Sequence, residues 1–219
     1  MDTPKKNITI GLETGLDGGC VSILEKGRQI AFANGDGNAS KSEDLLGLIE
    51  NLLLNGEIEK SSVELICVSD EPGSLTGIRI GLAISKGLGD ALGARVCRIP
   101  VLEAMTFALE DEGDKVLAAL WSEKKGIFFR EFRIEKGHRK ALSGIDNEPD
   151  IEKFAGRVGT LRDENIKFVF TEPIWLRLQS FSDRGICPAG NFVSVLKGNL
   201  AEIIGRAGQI AASDNEIKE

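Results

Sequence analysis

Residues 7–13 (NITIGLE) alternate apolar and polar side chains, as a strand with one covered face does, and a glycine-rich turn follows at 15–19. The stretches 20–25 (CVSILE) and 29–34 (QIAFAN) repeat the pattern around Lys26-Gly27-Arg28, which predicts a three-stranded antiparallel meander. Ser40 and Glu43 have capping-box spacing ahead of the periodic apolar run 45–54, so a first helix begins there. Residues 63–69 (VELICVS) are almost continuously apolar, as expected for a strand at the buried centre of a sheet. The turn 70–75 leads into a second helix over 76–92, closed by Gly93. Another strand at 94–99 precedes Pro100, which suits the first turn of a third helix ending near Glu110.

An acidic, glycine-containing link at 111–114 then marks a domain boundary. Strands are predicted at 115–121 and 127–134, followed by a polar stretch at 143–150. Helices near 151–162 and 174–181 flank a strand at 167–171, a final helix runs over 192–212, and 213–219 is a polar tail. The fold class is α/β with two lobes, 1–110 and a smaller, reduced 111–219. The order of three strands, helix, strand, helix, strand, helix matches the ribonuclease-H-like unit of actin-like ATPases, although many α/β domains come close to it.

Composition narrows the class. Hydrophobic content of 42% and charged content of 28% are those of an ordinary soluble protein, and the net charge of −7 argues against a broad basic surface for nucleic acid. No apolar run reaches the ~18 residues that span a bilayer, and no signal-peptide core follows Lys5-Lys6. Cys20, Cys67, Cys97 and Cys187 are scattered, and the first three lie in apolar strand-like runs, so reduced thiols are expected. A histidine-rich metal site or a Ser-His-Asp triad would have to be built around the one histidine, His138, which sits in a polar turn and reads as a solvated turn residue rather than a catalytic one.

The densest signal is Glu71-Pro72-Gly73-Ser74-Leu75-Thr76-Gly77-Ile78-Arg79-Ile80-Gly81-Leu82-Ala83-Ile84-Ser85-Lys86-Gly87-Leu88. Pro72-Gly73 is a turn dipeptide, and Ser74 or Thr76 suits the N-cap of the helix that follows. The same residue types before a helix also suit a phosphate, though capping alone accounts for them. Arg79, Lys86 and Asp90 form one narrow polar stripe of this helix. Ile78, Ile80, Leu82, Ile84, Leu88, Ala91 and Leu92 occupy most of the remainder. That apolar arc of roughly 260° exceeds the ~100° a surface helix needs for its own core. Gly77, Gly81, Ser85 and Gly89 recur at every fourth position, a small-residue ridge along which another backbone can approach. Each mid-helix glycine costs about 1 kcal/mol relative to alanine, so propensity does not explain them. The first helix has a wide apolar arc too, through Leu45, Leu46, Leu48, Ile49, Leu52 and Leu53. Either a partner covers the surplus, or the second lobe or a loop of the chain does.

The 71–88 stretch resembles, without gaps, the TsaB (YeaZ) family signature, roughly G-P-G-S-F-T-G-L-R-I-G-L-A-x-A-K-G-L. A weaker likeness extends over about 7–135, including Val101-Leu102-Glu103-Ala104. The resemblance implies an actin-like ATPase fold and a non-catalytic scaffold or activator subunit in tRNA modification. Its partner would be a TsaD-type transferase of the glycoprotease family, which forms threonylcarbamoyladenosine next to the anticodon of tRNA. A TsaE-type ATPase would join the assembly, and a homodimer would form where the transferase is absent. Transfer RNA would be reached only through the complex, and the location would be cytoplasmic, with no membrane contact. The resemblance puts the interface on the first two helices, at Leu45, Leu46, Ile49, Leu53, Gly77, Ile78, Ile80, Gly81, Ile84, Ser85 and Leu88. It implies no catalytic residue and no cofactor or metal of the chain's own, ATP and metal belonging to partner subunits.

Departures from the pattern bear on chemistry. Actin-like kinases hold phosphate and metal with an early Asp and a Thr/Gly-rich hairpin, and here Glu13 stands in place of the Asp, before Thr14-Gly15-Leu16-Asp17. The longer carboxylate moves the charge outward, so independent ATP binding is not expected. The candidate phosphate contacts are Thr14, Gly15 and Ser74. The metal-binding histidine pair of the TsaD branch is absent from the first helix. The usual Asp-Ala-Arg of the second lobe is replaced within Trp121-Ser122-Glu123-Lys124-Lys125-Gly126, and the chain has no tyrosine. The second lobe is therefore divergent. The alternative from another class is an enzyme acting alone, a diverged actin-like nucleotide hydrolase or a glycoprotease-like peptidase. A third is a homodimeric paralogue without the transferase.

Overall fold

A computed structural model describes residues 7–16, 18–35, 41–109, 113–162, 166–181, 192–197 and 199–216. Ser40 of the capping box, Asp17 of the first turn, Glu110 and residues 111–112 of the acidic link, Cys187 and the last three residues of the tail lie outside them. The chain forms two compact units, Met1–Val101 with Gly198–Glu219, and Leu102–Lys197.

In the first unit, β1 (Ile8–Glu13), β2 (Cys20–Glu25) and β3 (Arg28–Asn34) form the antiparallel meander. α1 (Lys41–Asn55) and a short 3-10 turn lead to β4 (Val63–Ser69), then α2 (Leu75–Leu92) and β5 (Arg95–Ile99). The sheet order is β3-β2-β1-β4-β5, with β4 parallel to β1 and to β5. Alternation along β1 sends Ile8, Ile10 and Leu12 to one face, where they pack with Leu45, Ile49 and Leu53 of α1 and Ile84 of α2.

The opposite face takes the last helix, α6 (Leu200–Glu216). The two lobes expected from the sequence, 1–110 and 111–219, are corrected here, because α6 belongs to the first unit. Its small residues explain the fit. A Cβ on Gly11 would overlap the carbonyl of Ala201, and one on Gly208 would overlap the sulfur of Cys67, so helix and sheet meet almost backbone to backbone. Gln209 Nε2 donates to Thr9 Oγ1 at 2.8 Å and fixes the helix along β1.

The second unit repeats the topology. α3 (Val101–Thr106) leads into it and ends earlier than the expected boundary near Glu110. β6 (Lys115–Ser122), β7 (Gly126–Glu135) and β8 (His138–Ala141) form a second antiparallel meander, and β9 (Asp146–Glu148) also pairs with β7. α4 (Ile151–Arg162), β10 (Lys167–Thr171), α5 (Glu172–Gln179) and β11 (Val193–Leu196) follow. The order is β11-β10-β6-β7-β8, with β10 parallel to β6 and to β11. Four phenylalanines make the centre of this core: Phe129, Phe154, Phe168 and Phe170, with successive ring centroids 5.3–6.2 Å apart.

The single helix expected over 192–212 is a strand and then a helix. The stretch 193–196 carries two β-branched valines, Val193 and Val195, and pairs with β10, whereas α6 begins at Leu200 and runs past residue 213, where a tail was expected. Pro173 in the first turn starts α5 at Glu172 rather than 174. His138 opens β8 rather than sitting in the turn, and its side chain is exposed. Among the described residues no helix is long and apolar enough to cross a membrane.

Candidate functional site

The turn after β1 is built by its own side chains. Glu13 is 2% exposed, and its Oε1 accepts from the backbone N–H of Gly15 at 2.6 Å and of Leu16 at 2.9 Å. The carboxylate closes the turn by folding back onto the two N–H groups that follow it. Thr14 N donates to Ser69 Oγ at 3.1 Å, tying this turn to the end of β4. Ser74 N donates to the Gly15 carbonyl at 2.7 Å, and a Cβ on Gly73 would lie 2.7 Å from the Gly15 Cα. The start of α2 is thus seated on the β1–β2 turn.

Ser74 is the N-cap of α2. Its Oγ accepts from Gly77 N at 3.4 Å, and Gly93 ends the helix in the left-handed conformation at φ 68°. Thr14, Gly15 and Ser74 therefore do meet, and they meet in contacts with one another's turns. Among the described residues no three His, Cys, Asp or Glu side chains are grouped to hold a metal ion. Burial, then the Glu13 charge, pushes the Cys20 thiol up to about 12, and burial also raises Cys67 and Cys97. All three are free thiols, held in the protonated form.

The helix pair divides the expected interface residues. Leu45, Ile49, Leu53 and Ile84 belong to the core of the first unit. The small-residue ridge is corrected in its purpose. A Cβ on Gly77 would overlap the Thr14 carbonyl, one on Gly81 would overlap Thr14 Oγ1, and one on Gly89 would crowd Val96. The backbone that the ridge admits is the chain's own. Ser85 is buried on the same side. Ile78, Ile80 and Leu88 are half-buried, and Leu46 is 45% exposed. Arg79, Lys86 and Asp90 are all exposed, as a polar stripe requires.

Between α1 and α2 lies an open groove of about 320 Å³ lined by Leu46, Gly47, Leu88, Ala91 and Leu92, among others, with Glu50 and Lys60 at its rim, 3.1 Å apart. Gly47, Ala91 and Leu92 were not among the residues read from the sequence as interface. For Ala91 and Leu92 the signal was the continuation of the α2 arc past Leu88, since they fall one turn beyond it; Gly47, on α1, carried none.

The family description TsaD: tRNA N6-adenosine threonylcarbamoyltransferase matches residues 38–137. The chain is 28% identical over 136 residues to the tRNA threonylcarbamoyladenosine biosynthesis protein TsaB of Haemophilus influenzae, a match covering 60% of this chain and 56% of that protein. The chain therefore spans little more than half the length of this curated relative. Among solved structures, YeaZ from Pseudomonas aeruginosa superposes with a TM-score of 0.58 at 16% identity, over 96% of this chain and 94% of that one. A Bacteroides thetaiotaomicron protein described as having an actin-like ATPase fold gives a TM-score of 0.51 at 12% identity, over 90% and 94%. The architecture is that α/β fold, with one sheet in each unit.

Proposed function

We propose that this chain, which belongs to the TsaB family, is a non-catalytic subunit of a tRNA threonylcarbamoyladenosine synthase, holding a TsaD-type transferase on its α1–α2 face. The groove carries the reading: two helices with their inner faces buried in the core still leave Leu46, Leu88, Ala91 and Leu92 lining a surface concavity. The transferase performs the chemistry, and this chain supplies surface and shape from the cytoplasm. A second copy of the chain would occupy the groove in the absence of the transferase, and a TsaE-type ATPase joins the assembly.

The β1–β2 turn supports the absence of catalysis and of a nucleotide or metal of the chain's own. A carboxylate already bonded to two backbone N–H groups, beneath a helix N-terminus seated on Gly15, is poorly placed to bridge a phosphate and a metal. Glu13→Ala is expected to cost about 1–3 kcal/mol of stability, since it leaves two partly enclosed N–H groups without their acceptor. The purified chain should show no ATP hydrolysis before or after the change. Turnover by the wild-type chain that disappears with Glu13→Ala would instead establish a nucleotide hydrolase.

Co-expression with the organism's TsaD-type protein and size-exclusion chromatography test the interface. Leu46→Glu combined with Ala91→Glu changes two exposed positions and should leave thermal unfolding nearly unaltered. Two carboxylates placed in an apolar contact should weaken the heteromeric complex at least about tenfold. A variant complex as tight as the wild type would remove this groove from the interface.

A further inference from the structure

A row of three cations crosses the second unit. Lys115 of β6 lies directly opposite Arg133 of β7, and Arg133 lies directly opposite Lys140 of β8. Residues opposite one another share a face of the sheet, so the three side chains stand side by side at about 4.8 Å strand spacing. Like charges in directly opposed positions destabilise a sheet. One carboxylate, Glu135, reaches two of them, at 3.9 Å from Arg133 and 4.0 Å from Lys140. Glu131, the next carboxylate along that face of β7, is taken by Arg157 at 3.1 Å, and Asp114 by Lys167 at 2.5 Å. Among the described residues Lys115 has no ion pair.

The first unit shows that the fold does not demand this arrangement. In the row through the first residue of its central strand stand Ile8, Glu25 and Arg28, an apolar residue and an opposite-charge pair. The two hairpins even share their turn, Glu25-Lys26-Gly27-Arg28 and Glu135-Lys136-Gly137-His138. Lys136 is held at φ 52°, a left-handed conformation that disfavours a side chain, and it adds another cation at the tip. On this face and its tip, Arg133, Lys136 and Lys140 thus set three cations against one carboxylate, Glu135, in a chain whose net charge is −7.

We infer that this basic edge, with Lys115, Arg133 and Lys140 as its row and the Lys136-Gly137 tip beside it, contacts the phosphodiester backbone of RNA. The inference rests on the reading of the chain as part of a tRNA-modifying assembly. A protein-docking surface would set apolar or aromatic anchors among its charges. The adjoining open groove of about 540 Å³ is lined by Gly113, Glu135, Lys136, His138, Lys140 and the fully buried Ile134, so it offers no such anchor. Cations without anchors suit contacts that position a nucleic acid without reading its sequence. The overall acidity and the local row are compatible: the chain as a whole repels RNA, and this edge sets where and in which orientation RNA can approach.

The test is fluorescence anisotropy with an unmodified tRNA transcript, over roughly 50–200 mM salt, on the chain alone and on its complex with the transferase. Lys115→Ala and Lys140→Ala should each weaken binding several-fold and lower the slope of log K against log salt by about 1 for each phosphate no longer neutralised. Lys140→Arg should restore both. Unchanged affinity and slope in folded variants overturn the inference, as does a wild-type chain that binds no tRNA in either form. Variants that bind tRNA normally but no longer hold the transferase would make the row an acidic-protein contact and also overturn it. Failure of the scaffold reading has a different signature, a wild-type chain that forms no complex, and the measurement on the chain alone then still decides the row.

Discussion

Gly77→Val is expected to unfold the first unit, or at the least to lower its stability by about 3 kcal/mol or more. A Cβ at this position would overlap the carbonyl oxygen of Thr14, a backbone atom at the end of the central strand β1. Relief would require either that α2 lift from the sheet or that the β1–β2 turn shift. The turn is fixed by Glu13, by Ser69 and by the Gly15–Ser74 bond, so it cannot shift cheaply. Gly81→Leu meets a side chain, Thr14, and should cost somewhat less. Gly87 on the outer side of the same helix has open space around it, and Gly87→Ala should stabilise by about 0.5–1 kcal/mol through helix propensity. Urea unfolding of the three variants separates the explanations. A Gly77→Val protein with the wild-type midpoint but no transferase binding would return the ridge to a partner interface.

The second large effect concerns where the first unit ends. A fragment of residues 1–110 is expected to remain unfolded, because it lacks the helix that covers one face of its sheet. Ala201, Gly205 and Gly208 of α6 lie against Gly11, Leu24 and Cys67 of that sheet, which would face water without the helix. Joining residues 1–101 to 198–219 through a flexible glycine-serine linker should restore cooperative unfolding. Circular dichroism melts on the two proteins measure this directly. A fragment 1–110 that melts sharply on its own would mean that α6 is an ornament of the unit rather than part of it.

The sequence exposed much of this architecture, and its failures have specific causes. Strands β1, β2, β4 and β10 and helices α2 and α4 are legible because their periods are clean and their ends carry punctuation, such as Ser74 and Gly93 around α2. The division at residue 110 is misplaced because an acidic link is a local signal, whereas the docking of α6 on β1 joins positions 190 residues apart. What could have hinted at it is the pairing of a helix rich in Ala and Gly with a glycine inside a strand, Gly11, since a glycine there marks close approach of another backbone. The ridge on α2 illustrates the same limit. Periodicity reveals that Gly77 and Gly81 line one side, but only the fold says which backbone approaches them. Of the residues placed at the interface from the sequence, Leu46 is exposed, whereas Leu45, Ile49 and Leu53 are core, because a wide apolar arc does not say where the core stops. The cation row was invisible for a related reason: Lys115, Arg133 and Lys140 become neighbours only once the register of three strands is known.

The return of α6 to the first sheet has a consequence for how the protein is made. Residues 102–197 emerge from the ribosome between the two parts of the first unit, so the enclosed unit is complete before the enclosing one. At about 5–20 residues per second, roughly 5 to 20 seconds separate the synthesis of β5 from that of α6. Throughout that interval the nascent sheet has one bare face, with Leu24 and Cys67 on it, and that face is a ready target for chaperones or for a neighbouring chain on the same message. Codon usage between β5 and α6, which sets the length of that exposure, is thus a lever on yield that leaves the amino-acid sequence untouched.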